Sequence, residues 1–453
     1  MIRTRIRNGI AANGFATGSS IASQLLAVPV LVGSWGLPLY GAWLLLSTVP
    51  GYLAVGNMGL SAVAGNDMAM LLGSGERARA RAIFHTAWAA ISAVCALILV
   101  VGVIAALTWP KQSLPAESLM EPGHTRWVLI ALTAYSTSAL RCDAMMAGYR
   151  ASGMYARGTT IGGIVMLIER AATLATALLG GKLLAAAICM ALVRSAGTVY
   201  MQYVLAQRQP DLKPGYKGAS FVELRRMAKL AGGVVLFPAS MALNLQGPLM
   251  ILGALFPPAI VGLFGATRTL TRFSLQVTNI VSTALMPEYS TAYGCREETR
   301  KQRLFALNIG AGVVLLAGAV AGLLLFGGMF VRFWTIGRAS PDFPLLLLLT
   351  IGTAVQGAWL MTANLLLAAN RQYAYTPAFL AISIFMLAAG YALATAFGVI
   401  GVAAALLVAD GVMLAWVFRQ SHRLGIGSVR KSLQLIGAML RSVGSRWRHV
   451  GGR

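Results

Sequence analysis

Long apolar stretches alternate with short clusters of charge along nearly the whole chain. Blocks at 87–107, 161–179 and 344–368 each reach the ~20 residues that an α-helix, rising ~1.5 Å per residue, needs to cross a ~30 Å hydrocarbon layer. Reading the apolar runs between charge clusters predicts helices over 13–35, 40–62, 85–108, 126–147, 155–179, 183–205, 229–254, 259–287, 304–328, 343–368, 373–397 and 399–418. The pattern therefore predicts an all-α polytopic membrane protein of twelve spans. Only short turns, such as Gly36-Leu37-Pro38, divide the runs at 35–40 and at 397–399.

Composition supports the pattern. Of 453 residues, 57% are apolar and 11% charged, against roughly 45–50% and about 25% in soluble chains, which excludes a soluble globular protein. The net charge of +24 comes from 37 Lys/Arg against 13 Asp/Glu. In a soluble chain that excess would suggest a nucleic-acid partner; in a membrane protein, cytoplasmic loops collect Lys and Arg. With the N-terminus inside, the segments 1–12, 63–84, 148–154, 206–229, 288–303, 369–372 and 419–453, together with Arg157, hold 27 basic residues, and the outside segments hold five. That asymmetry places both termini in the cytoplasm of a cell inner membrane, and it assigns the basic excess to topology, so no nucleic-acid partner is expected. The opening Met-Ile-Arg-Thr-Arg-Ile-Arg mimics a signal peptide but lacks a small-residue cleavage site, and is read as the start of a retained first helix. The four cysteines have no close spacing, so no disulfide framework, metal site or cofactor is expected. The four histidines fall at helix borders or in the tail, and no nucleophile, base and orienting group converge, so the chain is not expected to be an enzyme.

The chain also repeats. An ungapped offset of 221 residues lays Leu-Pro-Leu-Tyr-Gly-Ala-Trp (37–43) over Pro-Ala-Ile-Val-Gly-Leu-Phe (258–264), and the Gly/Glu/Arg-rich stretch 73–84 over 294–305. The repeat puts helices 1–2 over helices 7–8 in one orientation, which implies two six-helix lobes related by an axis along the membrane normal. The lobes are expected at 1–205 and 229–418, joined by a cytoplasmic linker at 206–228 and followed by a basic tail at 419–453. Two such lobes around a central cavity suit alternating access.

At this point the chain resembles a known family. Gly36-Leu-Pro-Leu-Tyr-Gly-Ala-Trp43, Tyr52-Leu-Ala-Val-Gly-Asn57-Met-Gly-Leu60 and the loop before the third helix resemble the O-antigen and exopolysaccharide repeat-unit flippases. These form the polysaccharide branch of the multidrug/oligosaccharidyl-lipid/polysaccharide (MOP) exporter superfamily, whose fold is MATE-like. Similar stretches are Val261-Gly-Leu-Phe-Gly-Ala-Thr-Arg268, Leu285-Met-Pro-Glu-Tyr-Ser290 and Ala147-Gly-Tyr-Arg-Ala-Ser-Gly-Met-Tyr-Ala156. The resemblance implies translocation of undecaprenyl-diphosphate-linked oligosaccharide by a monomer, with polysaccharide polymerase or assembly proteins as further partners beside membrane lipids. Drug and cation antiporters of the same superfamily share the twelve-helix layout and are the alternative. Helix 1 contains no Asp or Glu, whereas an acid there is a recurring cation site in part of that branch.

Five arginines fall inside predicted spans: Arg141, Arg170, Arg194, Arg268 and Arg272. An unpaired cation at mid-membrane costs about 2.5–3.5 kcal/mol on insertion scales, so each needs water, an acid or an anionic ligand. Arg268 and Arg272, four residues apart, share a helix face; they are candidates for binding a diphosphate, whose oxygens match the guanidinium fork, or for a structural salt bridge or gate. Glu169 and Arg170 diverge by about 100° on one helix, so Arg194 is the better partner for Glu169. That set forms either a lock between helices 5 and 6 or a cavity wall that receives substrate. Arg141 and Asp143, near the inner end of helix 4, are candidates for gating or ion coupling, with snorkelling to the headgroups as the alternative for Arg141. Asp410, the lone acid of the last three helices, is a candidate proton or cation relay or a partner for a donor on a neighbouring helix. Asn57 is a candidate for binding sugar hydroxyls or for satisfying unwound backbone. Tyr40, Trp43 and Phe264 offer either stacking surfaces for sugars or interfacial anchors. In the tail, Leu433, Ile436, Leu440 and Val443 predict an amphipathic helix on the anionic inner leaflet.

Overall fold

The structure is a computed structural model that describes residues 2–53, 55–108 and 123–427, with side chains described at 11–53, 59–108 and 123–427. Lys111, the side chain of Asn57 and the tail helix expected around 433–443 lie outside the described residues.

The described residues form thirteen α-helices: α1 (Ile2–Leu46), α2 (Thr48–Leu53), α3 (Val55–Gly73), α4 (Arg77–Thr108), α5 (His124–Ala151), α6 (Tyr155–Leu178), α7 (Leu183–Arg208), α8 (Phe221–Leu255), α9 (Pro258–Gly294), α10 (Glu298–Trp334), α11 (Phe343–Ala368), α12 (Thr376–Phe397) and α13 (Val399–Arg423). Within α1 the chain breaks at Gly36, where φ 75° and ψ 170° leave the helical region just before Pro38. A side chain would resist that left-handed φ, and Pro38 falls in the first turn of the helix that restarts after Gly36, where its missing N–H costs no helical hydrogen bond. The break falls within the turn expected at 35–40. The second span therefore runs from the end of α1 through α2 and α3, and the described residues make twelve spans.

By length and composition alone, nine helical stretches among the described residues are apolar enough to cross a membrane. Helices α5 and α9 are not among them; they carry Arg141 with Asp143, and Arg268 with Arg272. Several helices outrun their apolar cores. α4 begins at Arg77 rather than at 85, and α10 at Glu298 rather than at 304. Arg, Glu and Ala are good helix formers, so hydrogen bonding continues past the last apolar residue.

Two compact units are distinguished. The first comprises 1–263 with 334–339, and the second 264–333 with 340–453. In the first unit, α1 packs on α6, α5 on α4 and α7, and α8 on α3. Its core holds Phe84, Met145, Tyr149 and Met201, with the Tyr149 hydroxyl donating to the Met201 carbonyl at 2.9 Å. The basic linker is tied to the start of α4. Asp211 pairs with Arg81 and, at 3.6 Å, with Arg77; the His85 ring nitrogens face the carbonyls of Lys217 and Lys213; and the Ser220 N–H donates to Thr86 at 3.0 Å. In the second unit α13 packs against both α11 and α12.

One contact in the first unit reproduces the sequence repeat. A Cβ on Gly41 would meet the Pro258 carbonyl oxygen at 1.7 Å, and a Cβ on Gly262 would meet the Leu37 carbonyl oxygen at 2.6 Å. The offset of 221 that relates the repeats carries Leu37 to Pro258 and Gly41 to Gly262, so the contact maps onto itself, as contacts across a two-fold do. With lipid outside, close backbone approach is a main source of helix adhesion. Gly41→Val is expected to abolish most folded protein, because backbone rather than a flexible side chain must move; the check is monodisperse yield beside a conservative change at exposed Leu26.

Candidate functional site

Among the described residues, each unit carries a cluster of ionisable groups within its spans. In the first unit, α6 carries Glu169, fully buried, against Arg194 on α7, with Arg194 Nη2 2.5 Å from Glu169 Oε2. Arg194 also stands over the Tyr135 ring of α5, 5.4 Å from its centre, and its Nη2 lies 3.4 Å from the Tyr135 hydroxyl. The distance makes an ion pair, yet neither Glu169 oxygen nor Arg194 Nε gains a well-angled hydrogen bond. The carboxylate is thus held by charge and lacks the hydrogen bonds that usually repay burial. Nearby, Ser138 and Ser195 join α5 to α7 at 2.8 Å. Arg170, next in sequence, is exposed, so the divergence expected around the helix is observed. Arg141 and Asp143 are half-buried on α5, and Arg141 Nε lacks a hydrogen-bond partner.

In the second unit the cluster joins three helices. Arg268 on α9 is buried, with its guanidinium 5.9 Å from the centre of the Phe264 ring. One turn on, Arg272 Nη1 donates to Gln356 Oε1 of α11 at 3.0 Å. Gln356 Nε2 in turn lies 3.5 Å from Asp410 Oδ1 of α13, an oxygen that also accepts from Trp359 Nε1 at 2.9 Å. Gln356 thus stands between the guanidinium and the carboxylate, accepting from one and donating to the other. The Thr353 hydroxyl donates to Thr271 at 3.2 Å, adding a second link between α11 and α9. Trp359 is fully buried and packs edge-on against Phe379 of α12, centres 4.9 Å apart. Arg268 is ten residues from the start of α9 and Asp410 eleven from the start of α13, or ~15–17 Å along a helix, which is about the middle of a ~30 Å hydrocarbon layer.

Gln356 and Trp359 were not among the sequence candidates. Their signal is an amide near the middle of a charge-free span with a tryptophan three residues on, away from either helix end. Tyr40 and Trp43, read as sugar platforms or interfacial anchors, are buried, with Trp43 edge-on to Trp35 at 5.7 Å; Phe264 is fully buried too. Trp359→Phe keeps the aromatic packing and removes one donor from a buried carboxylate. It is expected to destabilise by about 1.5–3 kcal/mol, measured by thermal unfolding in detergent.

Compared by sequence, the chain matches no family model and no curated protein. Compared by structure, it is similar to an inward-facing multidrug-resistance MATE transporter of the MOP superfamily, with TM-score 0.70 and 14% identity over 92% of this chain and 95% of that one. The fold is the MATE-like exporter fold. The lipid II flippase MurJ in an inward closed conformation superposes with TM-score 0.68 and 12% identity, over 94% of this chain and 89% of that one. A MOP-superfamily transporter from Pyrococcus furiosus, described as having a binding pocket of reversed polarity, gives TM-score 0.61 and 16% identity, over 93% and 95%.

Proposed function

We propose that this chain is a secondary transporter that moves an amphiphilic organic cargo by alternating access, coupled to a small cation at the Asp410 cluster. The observation that carries the reading is the chain of contacts Arg272–Gln356–Asp410–Trp359 near mid-membrane. Ionisable groups at that depth usually serve a transport pathway or a relay. A proton or cation arriving at Asp410 weakens its hold on Gln356, and the amide then answers only to Arg272. Exchange of drugs or organic cations for protons or sodium is the cargo reading favoured by the multidrug transporters among similar structures.

A second reading is favoured by charge. Away from their ends, the predicted spans contain five arginines against three acids, Asp143, Glu169 and Asp410, a balance that suits an anionic cargo. In this reading the protein flips undecaprenyl-diphosphate-linked oligosaccharide for O-antigen or exopolysaccharide synthesis, with Arg268 and Arg272 on the diphosphate, Arg170, Arg194 and Glu169 lining the path, Asn57 on sugar hydroxyls, and Arg141 with Asp143 at a gate. The repeat-related lobes 1–205 and 229–418 supply the moving parts in either case, in a monomer of the cell inner membrane.

Removing the protein from its cell separates the two. Hypersensitivity to cationic drugs with normal surface polysaccharide is the expected result for the first reading; loss of polysaccharide with undecaprenyl-linked precursor held on the cytoplasmic side supports the second. Topology is tested in either case with cysteines and an impermeant reagent in intact cells. Position 111 is expected to label and position 217 to stay silent; the reverse contradicts the orientation.

A further inference from the structure

Between α10 and α11 the chain leaves one unit and returns to it. Residues 334–339 group with the first unit, while 333 before them and 340 after them belong to the second. The loop is a preformed turn: the Ala339 N–H donates to the Thr335 hydroxyl at 3.0 Å, the Arg338 N–H donates to the Thr335 carbonyl at 3.1 Å, and Thr335 and Ala339 are buried. It is fastened to α1 by two hydrogen bonds and an apolar contact. Trp334 Nε1 donates to the Leu25 carbonyl at 2.9 Å, Arg338 Nη1 donates to the Val32 carbonyl at 2.6 Å, and Ile336 sits over Gly33, where an added Cβ would meet Ile336 Cδ1 at 3.1 Å.

The sequence of α1 prepares this attachment. Pro29 lies four residues after Leu25 inside the helix and has no N–H, so the Leu25 carbonyl lacks its helical donor. The indole N–H, which can only donate, takes that place. Gly33 leaves the helix bare where Ile336 comes down.

The attachment is also strained. Ile336 stands at φ 57° and Gly337 at φ 76°. Left-handed backbone suits the glycine but is an outlier for a β-branched residue, and such a conformation persists only while its surroundings hold it. The holding groups are replaceable. Ile336 and Arg338 are exposed, so water can solvate the guanidinium once it leaves the Val32 carbonyl. The Gly41–Pro258 contact differs, because there backbone meets backbone.

We propose that residues 334–339 form a releasable latch on α1, at the half of the helix away from the N-terminus. The proposal rests on the alternating-access reading. There α1 belongs to the lobe 1–205 and α10 and α11 to the lobe 229–418, so parting of the lobes at this end breaks both hydrogen bonds and frees Ile336 from its left-handed conformation. Reclosing remakes the contacts. The latch acts whichever cargo is moved.

Two experiments on the full chain, with its four cysteines replaced by serine, test the latch. In the first, spin labels at Thr17→Cys and Ser340→Cys, both exposed, report the distance of the loop from a point on α1 about four helical turns before Gly33, by pulsed electron paramagnetic resonance in nanodiscs. A docked and a longer distance are expected. Arg338→Ala, which removes one bond from an exposed position, is expected to raise the ratio of longer to docked about fivefold, the size of one hydrogen bond. A single docked distance in both proteins overturns the proposal. In the second, Gly33→Cys and Ile336→Cys are joined by a short reducible crosslinker in proteoliposomes given a proton or sodium gradient and either a fluorescent organic cation or a short-chain polyprenyl-diphosphate oligosaccharide. Crosslinking is expected to slow the cargo that moves at least about tenfold, with recovery on reduction. Transport that continues at the uncrosslinked rate overturns the proposal. If the uncrosslinked pair moves neither cargo, the transport reading fails, and the label distances alone decide the latch.

Discussion

Glu169→Gln is expected to lower the stability of the protein by about 3–5 kcal/mol, the penalty for leaving one member of a buried ion pair unanswered. Arg194 would keep its charge at 13% side-chain exposure, with the Tyr135 ring and hydroxyl beside it and its buried carboxylate partner gone. The measurement is thermal unfolding in detergent together with folded yield from membranes. Replacing both residues by Met should recover most of the loss, because the pair has few hydrogen bonds to forfeit and apolar replacements of a buried pair are often neutral. Arg170→Gln, on the exposed neighbour, is expected to change stability by less than about 0.5 kcal/mol. Should the double Met variant fold well yet fail in transport, Glu169 and Arg194 act on cargo or coupling rather than as a lock between α6 and α7.

Asp410→Asn should separate structure from mechanism in the second unit. Asparagine keeps an oxygen for Trp359 and Gln356 but loses the charge and the exchangeable proton. Transport per folded molecule is expected to fall at least about tenfold, as it would for 1.4 kcal/mol or more of lost interaction in the coupling step, with folded yield preserved. A purely structural Asp410 gives a different pattern: yield falls, and Arg272→Gln introduced beside Asp410→Asn restores it, since the stranded guanidinium was the source of the loss.

Much of the architecture was legible because a bilayer restricts the chain severely. Backbone polar groups must pair within each span, so an apolar run of sufficient length has few alternatives to a helix. The turn at Gly36 was readable because glycine before Leu-Pro leaves a helix little support. Glu169 and Arg194 could be joined from sequence, since charge at mid-membrane needs a partner and few were available. The helix ends were less legible; the charges at Arg77 and Glu298 mark the hydrocarbon border, while helical hydrogen bonding runs beyond it. The neighbours of Asp410 were hidden for another reason. Gln356 and Trp359 lie more than fifty residues away, and only packing of α11 against α13 brings them to the carboxylate. Tyr40 and Trp43 misled because their positions suited an interface, whereas the backbone approach at Gly41 encloses that part of α1.

Purified full-length protein in proteoliposomes, under an imposed proton or sodium gradient, gives the most direct test that this is a coupled transporter. A fluorescent organic cation and a short-chain polyprenyl-diphosphate oligosaccharide serve as paired cargoes. One of them is expected to cross the bilayer in step with the gradient, to stop when an ionophore collapses it, and to slow at least about tenfold in Asp410→Asn. Absence of gradient-dependent movement of both cargoes by folded protein, or movement that Asp410→Asn leaves unchanged, contradicts it.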